Sequence, residues 1–367
     1  MHLLFQLSLA AIAGAASLLA PSGPFSVGFS QHVIPHETPN DPTPGLGKEI
    51  LVHLYYPTKD NESPATVPYF EPESEVIWNE LTALPEGSLL NLTTDLRGNA
   101  SFLERPTGRP TVLFSPGGGV NAWMNYGLLA DLASHGYTVL AIDHPGEPPA
   151  LRWPNGTETI GWDIHMPYTP ELIHEMHIFR VADLEATVSW LSEFVHDTNA
   201  PFETSKFFTI GHSLGGSASV ALIPSVPGVL AAVNVDGAFP EHETQVADAG
   251  RPVFLISSIN HTVQMDPSWS VFEEHQTSWW ESVSVYGAGH LDFSDIALWN
   301  TALGYPPLLG GSFGPTGGLR ATEITRKYVR DFFKWVEGKS KGKGVLAAPS
   351  LKWREVVYVN GTDFLDL

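Results

Sequence analysis

The sequence predicts an α/β fold with a mostly parallel central sheet and helices on both faces, and three observations carry that expectation. Short apolar, β-branched runs alternate with segments whose apolar residues step by three and four, the pattern of βαβ units. The chain has 367 residues and 43% hydrophobic content, ample for one large packed core. One apolar run, 207–210, leads through a glycine-rich turn into a small-residue helical pattern at 217–222. Such a strand–turn–helix unit belongs in a sheet of this kind.

Strands are expected at 50–56, 111–114, 137–142, 207–210, 229–235, 252–256 and 282–286. Leu128, Leu129 and Leu132 share a helical face that stops at His135-Gly136. Val181, Leu184, Val188, Leu191 and Val195 form a second amphipathic stripe, and Ile324, Tyr328, Phe332 and Trp335 a third. Two irregular excursions break the rhythm. Residues 58–110 are rich in Pro, Asn, Glu and Ser, and residues 145–170 carry Trp153, Trp162 and Tyr168. Such segments serve as caps and pocket walls as readily as plain surface loops. The division expected is a leader at 1–20, one catalytic domain at 21–338 and a tail at 339–367, with one added strand at 356–359.

Residues 1–20 are apolar, rich in small residues, free of charged side chains and end at Pro21; they read as a secretory signal. Ala13-Gly14-Ala15 is the cleavage candidate, and a retained anchor helix is the alternative. Six N-x-[ST] acceptors begin at Asn61, Asn91, Asn99, Asn155, Asn260 and Asn360, which fits a secreted, extracellular glycoprotein. The absence of cysteine excludes disulfides, a thiolate nucleophile and cysteine metal sites. An exported chain without disulfides needs a large core, which again favours the α/β class. The formal charge of −21 opposes binding to nucleic acid and docking on anionic lipid. No cofactor, metal or obligate protein partner is indicated. His174-Glu175-Met176-His177 is not the H-E-x-x-H zinc motif. Its histidines continue the second helical stripe backwards and read as sheet-facing, hydrogen-bonded side chains.

The chemistry concentrates in Gly211-His212-Ser213-Leu214-Gly215-Gly216. Glycines flank Ser213 because a sharp strand-to-helix turn has no room for side chains, and the turn lifts the serine hydroxyl out of the sheet. A serine hydroxyl needs a base, and the base an orienting carboxylate. His290, in the glycine loop Gly287-Ala288-Gly289-His290 after the expected last strand, is the candidate base. Two acids are topologically allowed. Asp236 ends the strand that follows the nucleophile helix, and Asp266 lies in the loop after the next strand. Oxyanion donors are expected from the Leu214 N–H and from Ser115-Pro116-Gly117-Gly118-Gly119, with Gly118 favoured over Gly117 and Gly119.

These residues carry a resemblance. Phe114-Ser115-Pro116-Gly117-Gly118-Gly119, Leu132-Ala133-Ser134-His135-Gly136-Tyr137 and the hexapeptide around Ser213 resemble the platelet-activating factor acetylhydrolase family, over roughly residues 50–335. The family often has histidine where this chain has Pro116, and residues 58–110 find no counterpart. The resemblance implies an α/β-hydrolase fold and an acid after the strand that follows the nucleophile. Its spacings match intervals of 23 residues from Ser213 to Asp236 and 54 from Asp236 to His290, and so select Asp236 over Asp266. It also implies metal-independent hydrolysis of the short sn-2 acyl (acetyl) ester of an ether phospholipid. Trp279-Trp280 and Tyr305-Pro306-Pro307-Leu308-Leu309 are candidates for transient contact with a lipid surface, with core packing as the alternative. Rival activities on the same fold are a broad carboxylesterase, a cutinase-like polyester hydrolase and a peptidase; a non-catalytic binding protein is the remote one.

Overall fold

The computed structural model describes residues 15–38, 48–60, 67–82, 84–163 and 166–363. Ten strands form one sheet: β1 (Ser26–Pro35), β2 (Glu49–Thr58), β3 (Leu96–Gly98), β4 (Thr111–Ser115), β5 (Thr138–Asp143), β6 (Phe207–His212), β7 (Val229–Val235), β8 (Val253–Ser258), β9 (Trp280–Val285) and β10 (Val356–Gly361). Their order across the sheet is β10-β9-β8-β7-β6-β4-β5-β2-β1-β3. The run from β5 to β9 is parallel, while β2 pairs antiparallel with both β1 and β5, and β10 antiparallel with β9.

The apolar runs form strands because both faces of the sheet are covered. Alternate residues serve opposite cores. Val112, Phe114, Phe208, Ile210, Val233, Phe254 and Ile256 point to one, and Leu113, Phe207, Ala232, Val253 and Leu255 to the other. The first core is closed by α1 (Tyr126–Ser134) and by α4 (Gly318–Val336), through Ile324, Tyr328 and Phe332. The second is closed by α2 (Pro170–Thr198), through Leu184 and Leu191, and by α3 (Leu214–Ala221). Helix α2 starts where Thr169 Oγ1 accepts the Leu172 N–H at 3.2 Å and Pro170 presets the first turn.

Two differences from the sequence reading have physical causes. Strand β1 was not expected, because Ser30, Gln31 and His32 interrupt its apolar pattern; ten residues of antiparallel pairing to β2 compensate. The strand expected at 356–359 forms as β10, two residues longer, and covers the edge of β9. The expected leader boundary at residue 20 cuts through packed structure. Ala16 and Ser17 pair with Leu92 and Thr93, Leu18 is buried, and Arg326 donates to the Leu19 and Ala20 carbonyls. Residues 1–14 of that leader lie outside the described residues. Among the described residues no helix is long and apolar enough to cross a membrane.

Candidate active site

Ser213 stands between the end of β6 and the start of α3, with φ 54° and ψ −129°. A non-glycine residue pays for that conformation, and such strain persists where neighbours over-determine it. Here they do. A Cβ on Gly211 would lie 2.2 Å from the Gly215 carbonyl carbon, and one on Gly215 would lie 2.1 Å from the Ser115 oxygen. The Ser213 N–H donates to the Val235 carbonyl at 2.8 Å, which fastens the turn to the strand ahead of Asp236. Ser213 stays partly exposed.

The loop after β9 brings His290 to the same sheet edge. Asp292 folds this loop by accepting the Gly289 and Gly314 N–H groups, each at 2.8 Å. His212, next to Ser213, donates from Nε2 to the His290 carbonyl at 2.9 Å. His290 Nδ1 lies 2.6 Å from Asp236 Oδ2. An ionised carboxylate only accepts, so the proton of that bond sits on Nδ1, and in the neutral imidazole Nε2 is the acceptor. Asp236 also has a strained backbone, φ 59°; among the described non-glycine residues only Asn99, Asn199, Ser213 and Asp236 adopt positive φ.

The other oxygen of Asp236 accepts from the Ser258 N–H at 2.6 Å and from His261 Nδ1 at 3.1 Å. His261 Nε2 reaches Asp266 Oδ2 at 2.7 Å. Both sequence-derived acids therefore meet at one histidine, but Asp236 is the one bonded to His290. Burial opposes the charge of His261, yet its hydrogen bonds to the two carboxylates outweigh this and push its pKa up to about 9. Burial likewise opposes ionisation of Asp236, and hydrogen bonds from His261, His290 and Ser258 hold its carboxyl well below the usual range. Burial dominates at His212, whose pKa falls to about 3, so it is a neutral donor.

Leu214 is the first residue of α3, and its N–H has no acceptor within the helix. Across the site, a Cβ built on Gly117 would lie 3.5 Å from the Ser213 Cβ, so the loop passes in contact with the Ser213 turn. Of the three loop glycines, Gly119 has its N–H turned to Glu147 Oε2 at 3.4 Å. Behind the loop, Ser115 Oγ lies 2.9 Å from His144 Nε2, and His144 Nδ1 lies 2.7 Å from Asp183 Oδ2. This second Ser–His–Asp chain has triad distances but is sealed from solvent, with Ser115 and Asp183 0% and His144 1% exposed. It offers a substrate no access.

His177 behaves as expected for a structural histidine: it is buried beside Ser217 Oγ at 2.8 Å, and burial lowers its pKa to about 3. His174 does not face the sheet as expected; it is half-exposed and pairs with Glu241 at 2.6 Å, because it sits in the first turns of α2, beyond the sheet edge. The two excursions wall a cavity of about 220 Å³, lined by Tyr69, Glu71, Leu151 and Trp153 with His53 and Asp143, and Ser213 and His290 are not among its lining residues. Trp279 packs on Phe332 and Trp335, and Trp280 is a buried strand residue, so packing accounts for both. Sequence reasoning missed His212, His261 and Asp292. His212 carried a signal in its place beside Ser213, whereas His261 was one loop histidine among several.

Comparison with known proteins bears on the fold. Residues 110–255 match the family described as alpha/beta hydrolase fold. A probable 1-alkyl-2-acetylglycerophosphocholine esterase of Arthroderma benhamiae is 24% identical over 368 residues, covering 93% of each chain. The structure of a ferulic acid esterase from Streptomyces cinnamoneus superposes with a TM-score of 0.76 at 25% identity, covering 95% of this chain and 100% of the other. The chain therefore has the alpha/beta hydrolase fold and, along nearly its whole length, is a distant homologue of a probable 1-alkyl-2-acetylglycerophosphocholine esterase.

Proposed function

We propose that the protein is a secreted serine esterase that removes the short sn-2 acyl group, acetyl above all, from phospholipids of the platelet-activating-factor type. The observation that carries the hydrolytic reading is the 2.6 Å contact between His290 and Asp236 at the sheet edge where Ser213 stands. In this reading His290 takes the Ser213 proton through Nε2, and Ser213 attacks the ester carbonyl. The N–H groups of Leu214 and Gly118 receive the developing oxyanion, and Asp236 stabilises the imidazolium. Protonation of the leaving alcohol by His290 gives an acyl-serine. Water, deprotonated by the same imidazole, then releases the acid.

The substrate class draws on the activity for which the Arthroderma homologue is named and on the surface beside His290. The Ile259 N–H donates to the Ala288 carbonyl at 3.1 Å, which ties the loop after β8 to the His290 loop. That loop exposes Ile259, Val263 and Met265, and Tyr286 is exposed at the end of β9. An apolar rim of this kind favours an acyl-bearing or membrane-held ester over a highly charged soluble one. The ferulic acid esterase likeness favours a second reading, an esterase for aromatic acids. A Ser213-dependent rate profile over acyl length and head group separates them. Acetyl phospholipids turned over well above feruloyl esters and long-chain phospholipids support the first reading; the reverse order replaces it.

Secretion is part of the same proposal. A leader removed after Ala15 leaves the contacts of Leu18, Leu19 and Ala20 in place, and Asn99, Asn155, Asn260 and Asn360 are exposed acceptors for glycosylation. Expression with the leader in a eukaryotic host tests it: glycosylated protein in the medium beginning at Ala16 is expected, and retention in the cell contradicts it.

A further inference from the structure

An oxyanion donor acts only if its direction is set before the reaction, and a run of three glycines sets no direction by itself. In this molecule one buried side chain grips the loop. Arg180, on α2 and fully buried, donates from Nη1 to the Pro116 carbonyl at 2.5 Å and to Ser115 Oγ at 3.1 Å. Its Nη2 donates to the Gly117 carbonyl at 3.1 Å and to Glu147, and its Nε donates to Glu147 Oε1 at 2.7 Å. The peptide bonds are trans, so each carbonyl held by Arg180 directs the following N–H the opposite way.

We propose that Arg180 is the positioning residue of the second oxyanion donor: by drawing the Pro116 and Gly117 carbonyls to itself, it turns the Gly117 and Gly118 N–H groups toward Ser213. The Ser213 side of the loop is identified by Gly117, whose Cβ direction leads to the Ser213 Cβ. Glu147 completes the arrangement by taking the Gly119 N–H, which narrows the donors to Gly118 and Gly117. Ser115 accepts from Arg180 and its hydroxyl donates a hydrogen bond to His144 Nε2, while His144 Nδ1 donates to Asp183, one turn along the same helix. The sealed Ser–His–Asp chain thereby becomes the backing of the fork. A lysine cannot reproduce it, since an ammonium lacks the planar, forked donors that hold two carbonyls and a carboxylate together.

The inference rests on the proposed esterase reading, and its test keeps the two apart. Native protein, Arg180→Lys and the charge-neutral pair Arg180→Gln/Glu147→Gln are assayed on an aryl acetate and on its thionoester, whose sulfur accepts N–H hydrogen bonds poorly. The lysine variant keeps a cation beside Glu147, and the double variant leaves no unpaired buried charge, so one of them folds even if the other does not. In the folded variant kcat should fall by about 100-fold with KM within about threefold, and the oxo-to-thiono rate ratio should collapse. A folded variant with native kcat, or with a lower kcat and an unchanged ratio, overturns the proposal. If native protein and its Ser213→Ala variant hydrolyse the aryl acetate equally, it is the esterase reading that fails.

Discussion

His290 Nδ1 lies 2.6 Å from Oδ2 of Asp236, although 54 residues separate them. The contact fixes the imidazole tautomer and gives His290, the proposed base, a carboxylate from the end of β7, one strand after Ser213. Asp266 stands on the far side of His261, bonded at 2.7 Å. The two carboxylates thus have different partners: one orients His290, and the other holds His261, which braces the first.

This division predicts unequal mutants. Asp236→Asn should lower kcat by about 10⁴-fold, because an amide favours the wrong imidazole tautomer. Asp266→Asn should stay within about tenfold of native, since it acts only through His261. Steady-state kinetics on one short aryl ester checks this, and the reverse order would transfer the triad acid to Asp266.

The raised pKa of His261 predicts how stability depends on pH. Its folded value, about 9, lies above the unfolded value near 6.5. Its contribution is therefore complete below about pH 6.5 and is lost as pH rises through about 9. Thermal unfolding of native protein and His261→Gln should show a gap that is largest near pH 6 and closes toward pH 10. A gap that widens with pH would mean that His261 is neutral in the folded protein.

Gly215→Ala should destabilise the fold by about 1–3 kcal/mol, because the new methyl would meet the rigid backbone oxygens of Ser115 and Pro116. Urea unfolding measures it. Gly250→Ala, where a Cβ would meet nothing within 4 Å, controls for generic loss of glycine, although its φ of 60° carries a strain of its own.

Chains starting at Ala16 and at Pro21 should differ in stability. The shorter one loses the burial of Leu18, about 2 kcal/mol, and leaves Arg326 without the Leu19 and Ala20 carbonyls. Equal melting temperatures would show that residues 16–20 add nothing to the fold.

The parts of the molecule legible in the sequence are those whose cause is local. Runs such as 229–235 and 252–256 are continuous because both faces of the sheet are buried, and the helical stripes follow from one-sided burial. Ser213, Asp236 and His290 were legible as candidates because each sits in a glycine-marked turn after a strand. The bracing residues were not. His261 meets Asp236 across 25 positions, Arg180 meets Glu147 across 33 and Pro116 across 64, and none of these pairings leaves a local pattern. One trace was present: Arg180 and Asp183 are charges inside the buried stripe of α2, where an unpaired charge would be costly. Strand β1 was missed because its polar residues are reconciled only by pairing with β2.

The proposed chemistry depends on Ser213 being a nucleophile activated by His290. Treating the native protein with a serine-reactive aryl phosphonate and mapping the adduct by peptide mass spectrometry tests it most directly. The account predicts one phosphonyl group per chain, on Ser213, with parallel loss of ester hydrolysis and no labelling of Ser213→Ala or of sealed Ser115. Labelling at another serine, or full activity with Ser213 modified, would contradict it.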